Sequence, residues 1–570
     1  MKVSDYIVKF LIEKGITDVF GYPGGSVTNL IDSFRKRNEE ITAHVVYHEQ
    51  AAAFAACAYA IRNGVPGVAY STGGPGATNM ITAIGHAYYD SIPVIFMTGN
   101  VNTYEAKGNL AVRQKGFQES DIVSVSSPLT KLSIYVEKPE TIRYCLEKAY
   151  YYATSGRPGS VLIDLPMDVL RAQIDIEKLV GYEIPEKNTY DYAQNFTNTL
   201  KQALRIAKRP CIVFGNGVKK VSLREKIRQV VFNLKIPYVT SMIAFDIIEP
   251  NEYFNGFIGA YGIRAANFVI AKSDLIISIG SRLDVRQVGA VRENFAPNAQ
   301  IIRIDIDEGE LSYKVHQDEV SFCLDAEKAI EIMASMDFDG QYETWCSVCK
   351  IIHEKLQGLD VRLPNRYIAE LSKLIPEQAI ITTDVGQNQV WVAQSFIVKA
   401  KQQFMFSGGM GAMGHALPAA IGSCYPGKNS VSVCICGDGG LQMNIQELQY
   451  VVREQLPIKI FVFNNYALGM IRHFQEMYFD NISFQTTEDG GYTTPDFVRI
   501  AEAYGIRGRV ITDVNQIPKL YEEINDSKPL LVEIRINEDT YVLPKLEYGK
   551  PNQDQQPLID RKLFEELMNL

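Results

Sequence analysis

The chain of 570 residues is too long for one hydrophobic core, so we expect two to four domains. Its net charge is -9 at pH 7 and it has no basic block, which argues against a nucleic-acid partner or a membrane surface. No apolar run reaches the roughly 20 residues that span a bilayer, and we expect no signal peptide. Nine scattered cysteines suggest free thiols in a reducing compartment, so we expect a cytoplasmic protein.

Strand-like and helix-like segments alternate along the chain in three blocks. The predicted blocks cover residues 1–180, 190–345 and 366–545, with a linker at 180–195 and a tail at 546–570. Apolar runs predict buried parallel strands at 68–71, 94–98, 161–165, 211–217 with a Gly-rich turn, 275–280, 301–305, 379–384, 431–436 and 458–463. This alternation predicts an α/β fold with three doubly wound, mainly parallel sheets.

The segment His48-Glu49-Gln50 begins an Ala-rich helix in the first block. A carboxylate at a helix N-terminus often does no more than stabilise the helix dipole. The small residues that follow predict a buried position for Glu49, which would suit a carboxyl group that relays protons. Taken alone, the residue favours the purely structural role.

Cys346 and Cys349 form one CxxC pair in the second block. A structural zinc site would require a second pair or several histidines nearby, and only His353 is close in sequence. We therefore interpret the pair as two positions on one face of a helix.

A GxGxxG pattern occupies residues 409–414 of the third block. A dinucleotide-binding fingerprint would continue to an acidic residue roughly 20 positions on, at the end of a strand. Asp438 lies 24 residues beyond Gly414, but the glycines around it suit a phosphate loop better than a ribose-binding strand end. We interpret the pattern as a loop of close backbone approach and not as an NAD site.

Two polar motifs follow two neighbouring predicted strands. The first is a Gly-Asp-Gly sequence around Asp438, and the second is the Asn-Asn pair at 464–465. Carboxyl ends of parallel strands share one edge of a sheet, where open α/β sheets bind ligands. Asp438 and Asn465 offer hard oxygen ligands suited to Mg²⁺, and the glycines allow a diphosphate to approach. A lone Gly-Asp-Gly is equally a turn, but a helix predicted at 444–454 can connect the two motifs, which strengthens the metal–diphosphate interpretation.

With these motifs in place, the chain from residue 3 to 545 resembles the large catalytic subunit of acetolactate synthase (acetohydroxyacid synthase), a thiamine-diphosphate enzyme family. The matching stretches are 20–25, 48–50, 74–79, 116–119, 156–159, 383–387, 411–414, 437–439 and 468–470. Matches this numerous, in one order along the chain, are very specific for the superfamily and fairly specific for this branch.

The resemblance implies a layout for the three blocks. Residues 1–180 would be a pyrimidine-binding domain, 190–345 a central domain and 366–545 a diphosphate- and Mg²⁺-binding domain. Thiamine diphosphate would lie between the first domain of one subunit and the third domain of another, which implies a homodimer or homotetramer. A regulatory subunit is also implied as a partner.

The resemblance also implies roles for individual residues. Asp438, Asn465 and the backbone oxygen near Ala467 would hold Mg²⁺. Glu49 would hydrogen-bond the aminopyrimidine ring of the cofactor, and Met413 would support its bent shape. The other implied cofactor contacts are Val385, Gly386, Gln387, Gly411, Gly437, Gly439, Gly469 and Met470, and the implied substrate contacts are Gly25, Phe117, Gln118, Arg286 and again Val385.

A structural FAD in the central domain is a further implication of the resemblance. The matching segments are 215–217, 264–267, 281–284 and 305–307. A Gly-rich turn after a strand is also ordinary architecture, so these segments have an alternative explanation.

Two positions depart from the family's pattern, and both bear on the acceptor substrate. Met167 replaces a lysine, and Phe474 replaces a tryptophan that is implicated in choosing the acceptor ketoacid. Arg286 matches the arginine that would bind the acceptor carboxylate, since an arginine can hold a carboxylate through two hydrogen bonds.

The sequence therefore predicts an enzyme that decarboxylates pyruvate and transfers the two-carbon unit to a second carbonyl substrate. Acetolactate synthesis, a step of branched-chain amino acid biosynthesis, is the first interpretation. A keto-sugar nucleotide acceptor, a simple 2-ketoacid decarboxylase and an inactive cofactor-binding protein are the alternatives.

Overall fold

The computed structural model describes residues 1–185, 192–338, 340–427 and 431–570. Within these residues the strands form three six-stranded sheets, and all the strand pairings inside the sheets are parallel. Helices connect successive strands, which confirms the predicted α/β fold class. The predicted linker at 180–195 lies partly outside the described residues.

The first sheet has the strand order β2-β1-β3-β4-β6-β5. Its strands are β1 Asp18–Gly21, β2 Thr42–Val45, β3 Gly67–Ser71, β4 Val94–Asn100, β5 Leu132–Tyr135 and β6 Ser160–Pro166. The helices are α1 Val3–Glu13, α2 Thr28–Lys36, α3 Glu49–Asn63, α4 Pro75–Asn79, α5 Ile81–Tyr89, α6 Ile122–Ser126, α7 Ile142–Thr154 and α8 Met167–Arg171. β3, β4 and β6 are buried along their whole length because helices cover both faces of the sheet.

The second sheet has the order β12-β11-β10-β7-β8-β9. Its strands are β7 Pro210–Phe214, β8 Tyr238–Thr240, β9 Phe254–Phe257, β10 Leu275–Ile279, β11 Gln300–Asp305 and β12 Val320–Cys323. The helices are α9 Tyr192–Ile206, α10 Arg224–Leu234, α11 Arg264–Lys272, α12 Val285–Val288, α13 Glu308–Ser312, α14 Ala326–Ala334 and α15 Glu343–Leu356. α15 contains Cys346 and Cys349, which confirms that this pair lies on a helix, and all nine cysteines are free thiols.

The third sheet has the order β14-β13-β15-β16-β18-β17. Its strands are β13 Ile380–Thr383, β14 Gln403–Met405, β15 Ser432–Gly437, β16 Ile458–Asn464, β17 Arg507–Ile511 and β18 Leu530–Arg535. The helices are α16 Leu363–Leu374, α17 Gln387–Ser395, α18 Ala416–Gly422, α19 Asp438–Met443, α20 Leu448–Arg453, α21 Gly469–Tyr478, α22 Phe497–Tyr504, α23 Tyr521–Asn525 and α24 Arg561–Asn569. In the described part of the chain, no helix is both long enough and apolar enough to cross a membrane.

The helix predicted at 444–454 is confirmed over residues 445–453, and an additional helix, α19, precedes it. The connection between β15 and β16 thus consists of α19 and α20, joined by a 3-10 turn at Ile445–Glu447. α19 ends before Asn444, whose φ of -134° and ψ of 32° are not helical. The Asn444 side chain donates to the carbonyl oxygen of Gly414, so a contact with the neighbouring loop replaces helix continuity at this residue.

Helix α3 packs against both its own sheet and α18 of the third sheet. Its residues 51–60 are buried without an amphipathic stripe, and their small side chains allow neighbouring backbones to approach closely. A Cβ atom at Gly422 of α18 would overlap the carbonyl oxygen of Ala55. The first and third sheet regions of one chain therefore share a single hydrophobic core at this contact.

We predict that Gly422→Ala destabilises the protein by about 1–3 kcal/mol, because the added methyl group must push α18 away from α3. The free energy of unfolding in urea measures this change. Ile61→Met, at an exposed position of α3, is the control and should change stability by less than about 0.5 kcal/mol. Equal stabilities for Gly422→Ala and the wild type would contradict the proposed close packing.

Candidate active site

The polar residues predicted around the third sheet lie at its carboxyl edge. Asp438 follows the end of β15, and Asn465 follows the end of the adjacent β16. Both side chains are buried, at the edge where parallel sheets commonly bind ligands. The parallel pairing of the two strands is the physical reason that residues 27 positions apart meet here.

The Asp438 carboxylate is only 3% exposed. Its Oδ1 accepts a hydrogen bond of 2.8 Å from the N–H of Gly439, whereas Oδ2 has no hydrogen-bond partner among the described residues. Burial raises the pKa of Asp438 to about 7, and nearby backbone N–H groups, including that of Ala467, offset part of this effect. A buried carboxylate oxygen without a partner is costly, and a bound cation would remove that cost. The site therefore fits Mg²⁺, which prefers hard oxygen ligands.

A chain of hydrogen bonds fixes Asn465 beside Asp438. The Asn465 Nδ2 donates to Oε1 of Gln387 at 3.0 Å, and the Gln387 Nε2 donates to the carbonyl oxygen of Thr540 at 2.9 Å. With its nitrogen engaged, Asn465 presents its amide oxygen as the atom that could bind a metal. A Cβ atom at Gly469 would overlap the Gln387 side chain, so a larger residue at the start of α21 would displace this glutamine from its hydrogen bonds.

The loop at 411–414 contacts the Asp438 motif from the other side. A Cβ atom at Gly439 would lie 3.1 Å from Cε of Met413 and 2.9 Å from Cδ2 of Leu468. Asp384, after β13, holds the loop because its carboxylate accepts from the N–H groups of Gly414 and Ala416 at 3.0 and 2.9 Å. The structure thus brings Met413, Gly439 and Asp438 together.

The other site residues predicted in the third block lie at the same carboxyl edge of the third sheet. Val385 donates its backbone N–H to Oδ1 of Asp384 at 3.0 Å, and Gly386 precedes α17 with a φ of +151°. Gly411 has a left-handed φ of +64°, which favours glycine. Gly437 is the last residue of β15, and Met470 lies in the first turn of α21.

Three of the predicted first-block residues surround the glycine loop after β3. Oε2 of Glu49 accepts from Nδ2 of Asn79 at 2.9 Å, and its Oε1 lies 3.1 Å from the position of a Cβ atom at Gly76. The backbone of Gln118 lies 3.0–3.4 Å from a Cβ atom at Gly74, with a left-handed φ of +63° at Gln118. Gly25 begins a 3-10 turn whose next residue, Ser26, accepts the N–H of Gly73.

The expectation that Glu49 is buried is wrong for the single chain, where the residue is half-buried. The small residues of α3 bury its later turns, whereas Glu49 starts the helix at the rim of the domain. Phe117, another predicted site residue, is more exposed than Glu49, with 87% of its surface accessible to solvent. Within the described residues, no hydrogen bond joins Glu49 to the Asp438 motif.

The third domain of the same chain nevertheless fixes the backbone before Glu49. The carboxylate of Glu447, which is fully buried, accepts from the N–H of Tyr47 at 3.0 Å. The Asn444 Nδ2 donates to Oε1 of Gln50 at 3.1 Å, and Nδ1 of His48 accepts the N–H of Gln50. Glu447 and Asn444 were not among the predicted site residues, although both lie in the segment that follows Asp438.

The segments predicted to hold FAD make contacts within the fold. Arg264 is buried and donates to both oxygens of Asp360, at 2.7 and 3.0 Å. Asn267 exchanges hydrogen bonds with the backbone of Gly259. A Cβ atom at Gly217 would lie 2.8 Å from Cα of Gly280, so these glycines permit close packing of two loops. Each contact gives the matching residue a structural role that does not require a cofactor.

The three residues that bear on the choice of acceptor substrate are far apart in sequence and lie on different helices. Arg286 is exposed at the start of α12, with its guanidinium 6.0 Å from the ring centre of Tyr261. Phe474 lies in α21, five residues beyond Gly469, and its ring is 48% exposed. Met167 is the first residue of α8.

Sequence reasoning did not identify Tyr492, whose hydroxyl faces the carboxyl group of Asp438 and lacks a hydrogen-bond partner in the described part of the structure. Tyr492 lies in an irregular segment without a motif, so no local signal could have indicated its position. Asp384 did carry such a signal, because it directly follows an apolar strand.

Comparison with known proteins agrees with this architecture. Three family models match: the N-terminal TPP binding domain of thiamine pyrophosphate enzymes at residues 1–125, their central domain at 197–333 and their C-terminal TPP binding domain at 384–534. These matches place the chain in the class of thiamine pyrophosphate enzymes.

Relatives that match nearly the whole chain identify its family within this class of enzymes. The chain is 33% identical to acetolactate synthase isozyme 2 large subunit of Escherichia coli, over 97% of this chain and 99% of that protein. It is 36% identical to a probable acetolactate synthase large subunit of Methanocaldococcus jannaschii, over 94% of this chain and 92% of that protein. It is 34% identical to the acetolactate synthase large subunit of Lactococcus lactis, over 96% of this chain and 94% of that protein. The chain belongs to the acetolactate synthase large-subunit family, which confirms the predicted family and enzyme class.

We predict that metal-free Asp438→Asn is more stable than the metal-free wild type at pH 8, by about 1–3 kcal/mol. In the wild type, a pKa of about 7 in the fold exceeds the ordinary value of 3.8, so the folded protein binds the extra proton and gains stability as the pH falls through 7. The difference between the two proteins should therefore shrink towards pH 5. Urea unfolding in EDTA at pH 8 and pH 5 measures the stability difference. A difference that does not change with pH would contradict the raised pKa of Asp438.

Proposed function

We propose that the protein is a thiamine-diphosphate- and Mg²⁺-dependent carboligase that decarboxylates pyruvate and transfers the two-carbon unit to a 2-ketoacid. The observation that carries this proposal is the buried, unpartnered Oδ2 of Asp438 beside Asn465 at the carboxyl edge of the third sheet. The family models for the two TPP binding domains support the cofactor. The relatives described above are acetolactate synthase large subunits, which supports the same activity.

Asp438, Asn465 and the backbone at Ala467 would hold Mg²⁺, and the metal would hold the diphosphate of the cofactor. Bound thiamine diphosphate would supply a nucleophilic carbon that attacks the ketone and a cationic ring that accepts the electron pair left behind when CO₂ departs. The chain's own residues would orient the reactants: Met413 lies against Gly439, the residue next to the proposed metal ligand Asp438. Val385, Gln118 and Gly25 are the proposed substrate contacts.

Glu49 is the proposed proton-relay residue, acting on the aminopyrimidine ring of the cofactor. Its carboxylate is fixed by Asn79 on one side, and the backbone before it is fixed by Glu447. A carboxyl group held in one orientation can pass a proton repeatedly to the same ring nitrogen. Exclusion of water would then favour transfer to the acceptor over simple protonation.

We propose that two copies of the chain form the active unit, with Glu49 of one copy facing the Asp438 motif of the other. The half-buried Glu49 and the exposed Phe117 support this arrangement, because both leave surface for a partner to cover. Further exposed apolar side chains lie in and after α21, namely Ile471, Phe474, Phe479, Ile482 and Phe484. Exposed apolar groups of this kind are typical of protein interfaces.

We also propose a location, a partner, a further cofactor and an assembly state. A cytoplasmic location agrees with nine free cysteines. A regulatory subunit agrees with the large-subunit names of the relatives. FAD in the central domain and a tetrameric assembly follow from the family resemblance.

The acceptor is proposed to be a ketoacid because Arg286 can pair with a carboxylate. Met167 and Phe474, which depart from the family's pattern, favour a second candidate, a keto-sugar nucleotide acceptor. The purified protein should be incubated with pyruvate, Mg²⁺ and thiamine diphosphate, followed by measurement of CO₂, acetolactate and acetaldehyde. Acetolactate is the expected product. Acetaldehyde alone would indicate a decarboxylase, CO₂ release that requires a keto-sugar nucleotide would indicate the second candidate, and no CO₂ under either condition would contradict the enzymatic proposal.

We predict that Glu49→Gln slows exchange of the C2 proton of bound thiamine diphosphate with D₂O by about 10²–10⁴-fold, because the amide cannot relay the proton. Quenched-flow NMR measures the exchange. Glu105→Gln, in the same domain, is the control and should exchange like the wild type. Wild-type exchange in Glu49→Gln would remove Glu49 from the proposed mechanism.

A further inference from the structure

Lys545 is a buried cation in the C-terminal segment that follows β18. The residue is 5% exposed, and its Nζ has neither an ion-pair partner nor a hydrogen-bond acceptor among the residues that the structure describes. The Nζ atom lies over the Phe474 ring, 5.6 Å from the ring centre. A largely buried lysine without an anion is costly, so this position suits a group that meets an anionic ligand.

The neighbouring carboxylate does not compensate the charge of Lys545. Glu476 accepts a hydrogen bond from the Tyr541 hydroxyl and pairs with Arg472 at 3.4 Å. Burial lowers the pKa of Lys545 to about 8, and the charge of Glu476 only partly opposes that shift. The adjacent His473 has a pKa lowered to about 4, first by burial and then by the charge of Lys545, so it is neutral near pH 7. Lys545 is therefore the cation that is left uncompensated here.

Phe474 and Lys545 lie on two segments that both contact Gln387, the residue that fixes the proposed metal ligand Asn465. Helix α21 begins at Gly469, which packs against Gln387 and Asn465, and Phe474 follows about 7–8 Å further along its axis. The C-terminal segment contacts the same glutamine, because the carbonyl oxygen of Thr540 accepts from the Gln387 Nε2 at 2.9 Å. Lys545 follows Thr540 by five residues.

The same segment is also linked to Arg286. The N–H of Leu546, next to Lys545, donates to the carbonyl oxygen of Ala260 at 2.7 Å. The N–H of Ala260 in turn donates to the carbonyl oxygen of Arg286 at 2.9 Å. The guanidinium of Arg286 then lies 6.0 Å from the ring of Tyr261. The backbones that carry the two cations are thus only two hydrogen bonds apart.

Resting on the proposed carboligase function, we propose that Lys545 is a second cationic binding residue of the acceptor pocket. It contacts an anionic group of the acceptor, a carboxylate or a phosphate, on the open face of Phe474. Arg286 and Lys545 together select an anionic acceptor over a neutral aldehyde. The half-exposed ring of Phe474 leaves room for the ligand beside the ammonium group.

A competition experiment tests this proposal without depending on the amount of active enzyme. One reaction of the thiamine-diphosphate- and Mg²⁺-loaded protein contains pyruvate, which serves as donor and as anionic acceptor, together with propanal. A second reaction contains pyruvate as donor together with glyceraldehyde 3-phosphate and propanal as competing acceptors. The ratio of the two products reports the relative kcat/KM of the acceptors, because both share the donor half of the reaction. Lys545→Met should lower the ratio of anionic to neutral product by about 10-fold or more, as expected for losing one charge-assisted hydrogen bond.

Two further variants separate binding from folding. Lys545→Arg, which keeps the charge, should stay within about 3-fold of the wild-type ratio, and Lys550→Met, at an exposed position nearby, should match it. If Lys545→Met lowers the product ratio with pyruvate as acceptor, Lys545 binds a carboxylate. If the variant lowers the ratio only with glyceraldehyde 3-phosphate, Lys545 binds a phosphate. An unchanged ratio in Lys545→Met with both acceptors would overturn the proposal.

Binding without turnover distinguishes failure of this proposal from failure of the proposed function. Oxalate and inorganic phosphate are titrated into the cofactor-loaded protein by calorimetry. Weakening of either Kd by about 10-fold in Lys545→Met supports the anion site even if pyruvate releases no CO₂. Equal Kd values in the wild type and Lys545→Met, or no binding of either anion to the wild type, would overturn it.

Discussion

The close contact between helices α3 and α18 is the constraint on which the arrangement of the chain depends. Small residues along α3 and Gly422 in α18 let two backbones meet with little side-chain volume between them. The first and third sheets thereby share one core. Because the contact is internal to the core, it also determines which edges of the two domains face outward. The Glu49 end of α3 and the α21 surface remain available, and this availability is the basis for proposing a site between two copies.

A second constraint is the hydrogen-bond chain from Asn465 through Gln387 to Thr540. It joins the end of β16, the start of α17 and the C-terminal segment in one place. The buried carboxylate of Asp438 lies beside this chain with one oxygen unpartnered. The protein thus holds an electrostatic cost in its metal-free form that a divalent cation would relieve, and the same framework directs Lys545 towards Phe474.

Several features were predictable because they depend on local pattern. The continuous apolar runs at 431–436 and 458–463 became β15 and β16, since strands buried on both faces require apolar residues throughout. The Gly-Asp-Gly motif lay at the strand end, as expected. The helix predicted at 444–454 was confirmed as a 3-10 turn followed by α20, whereas α19 before it was not predicted. Helical periodicity also could not reveal that Asn444, between the two helices, bonds to Gly414, a residue 30 positions away. Burial of Glu49 was wrong because composition describes a helix and not the position of its first turn in the domain.

The sequence by itself determined the α/β class, the three-block organisation, the family and the candidate metal ligands, because strand periodicity and strand-end motifs are local properties. Only the tertiary structure decided which distant residues meet. Glu447 supporting Tyr47, Asp384 holding the 411–414 loop and Lys545 facing Phe474 all arise from packing between separate elements. Their physical cause is burial, which forces polar groups far apart in the chain to find partners that no local pattern specifies.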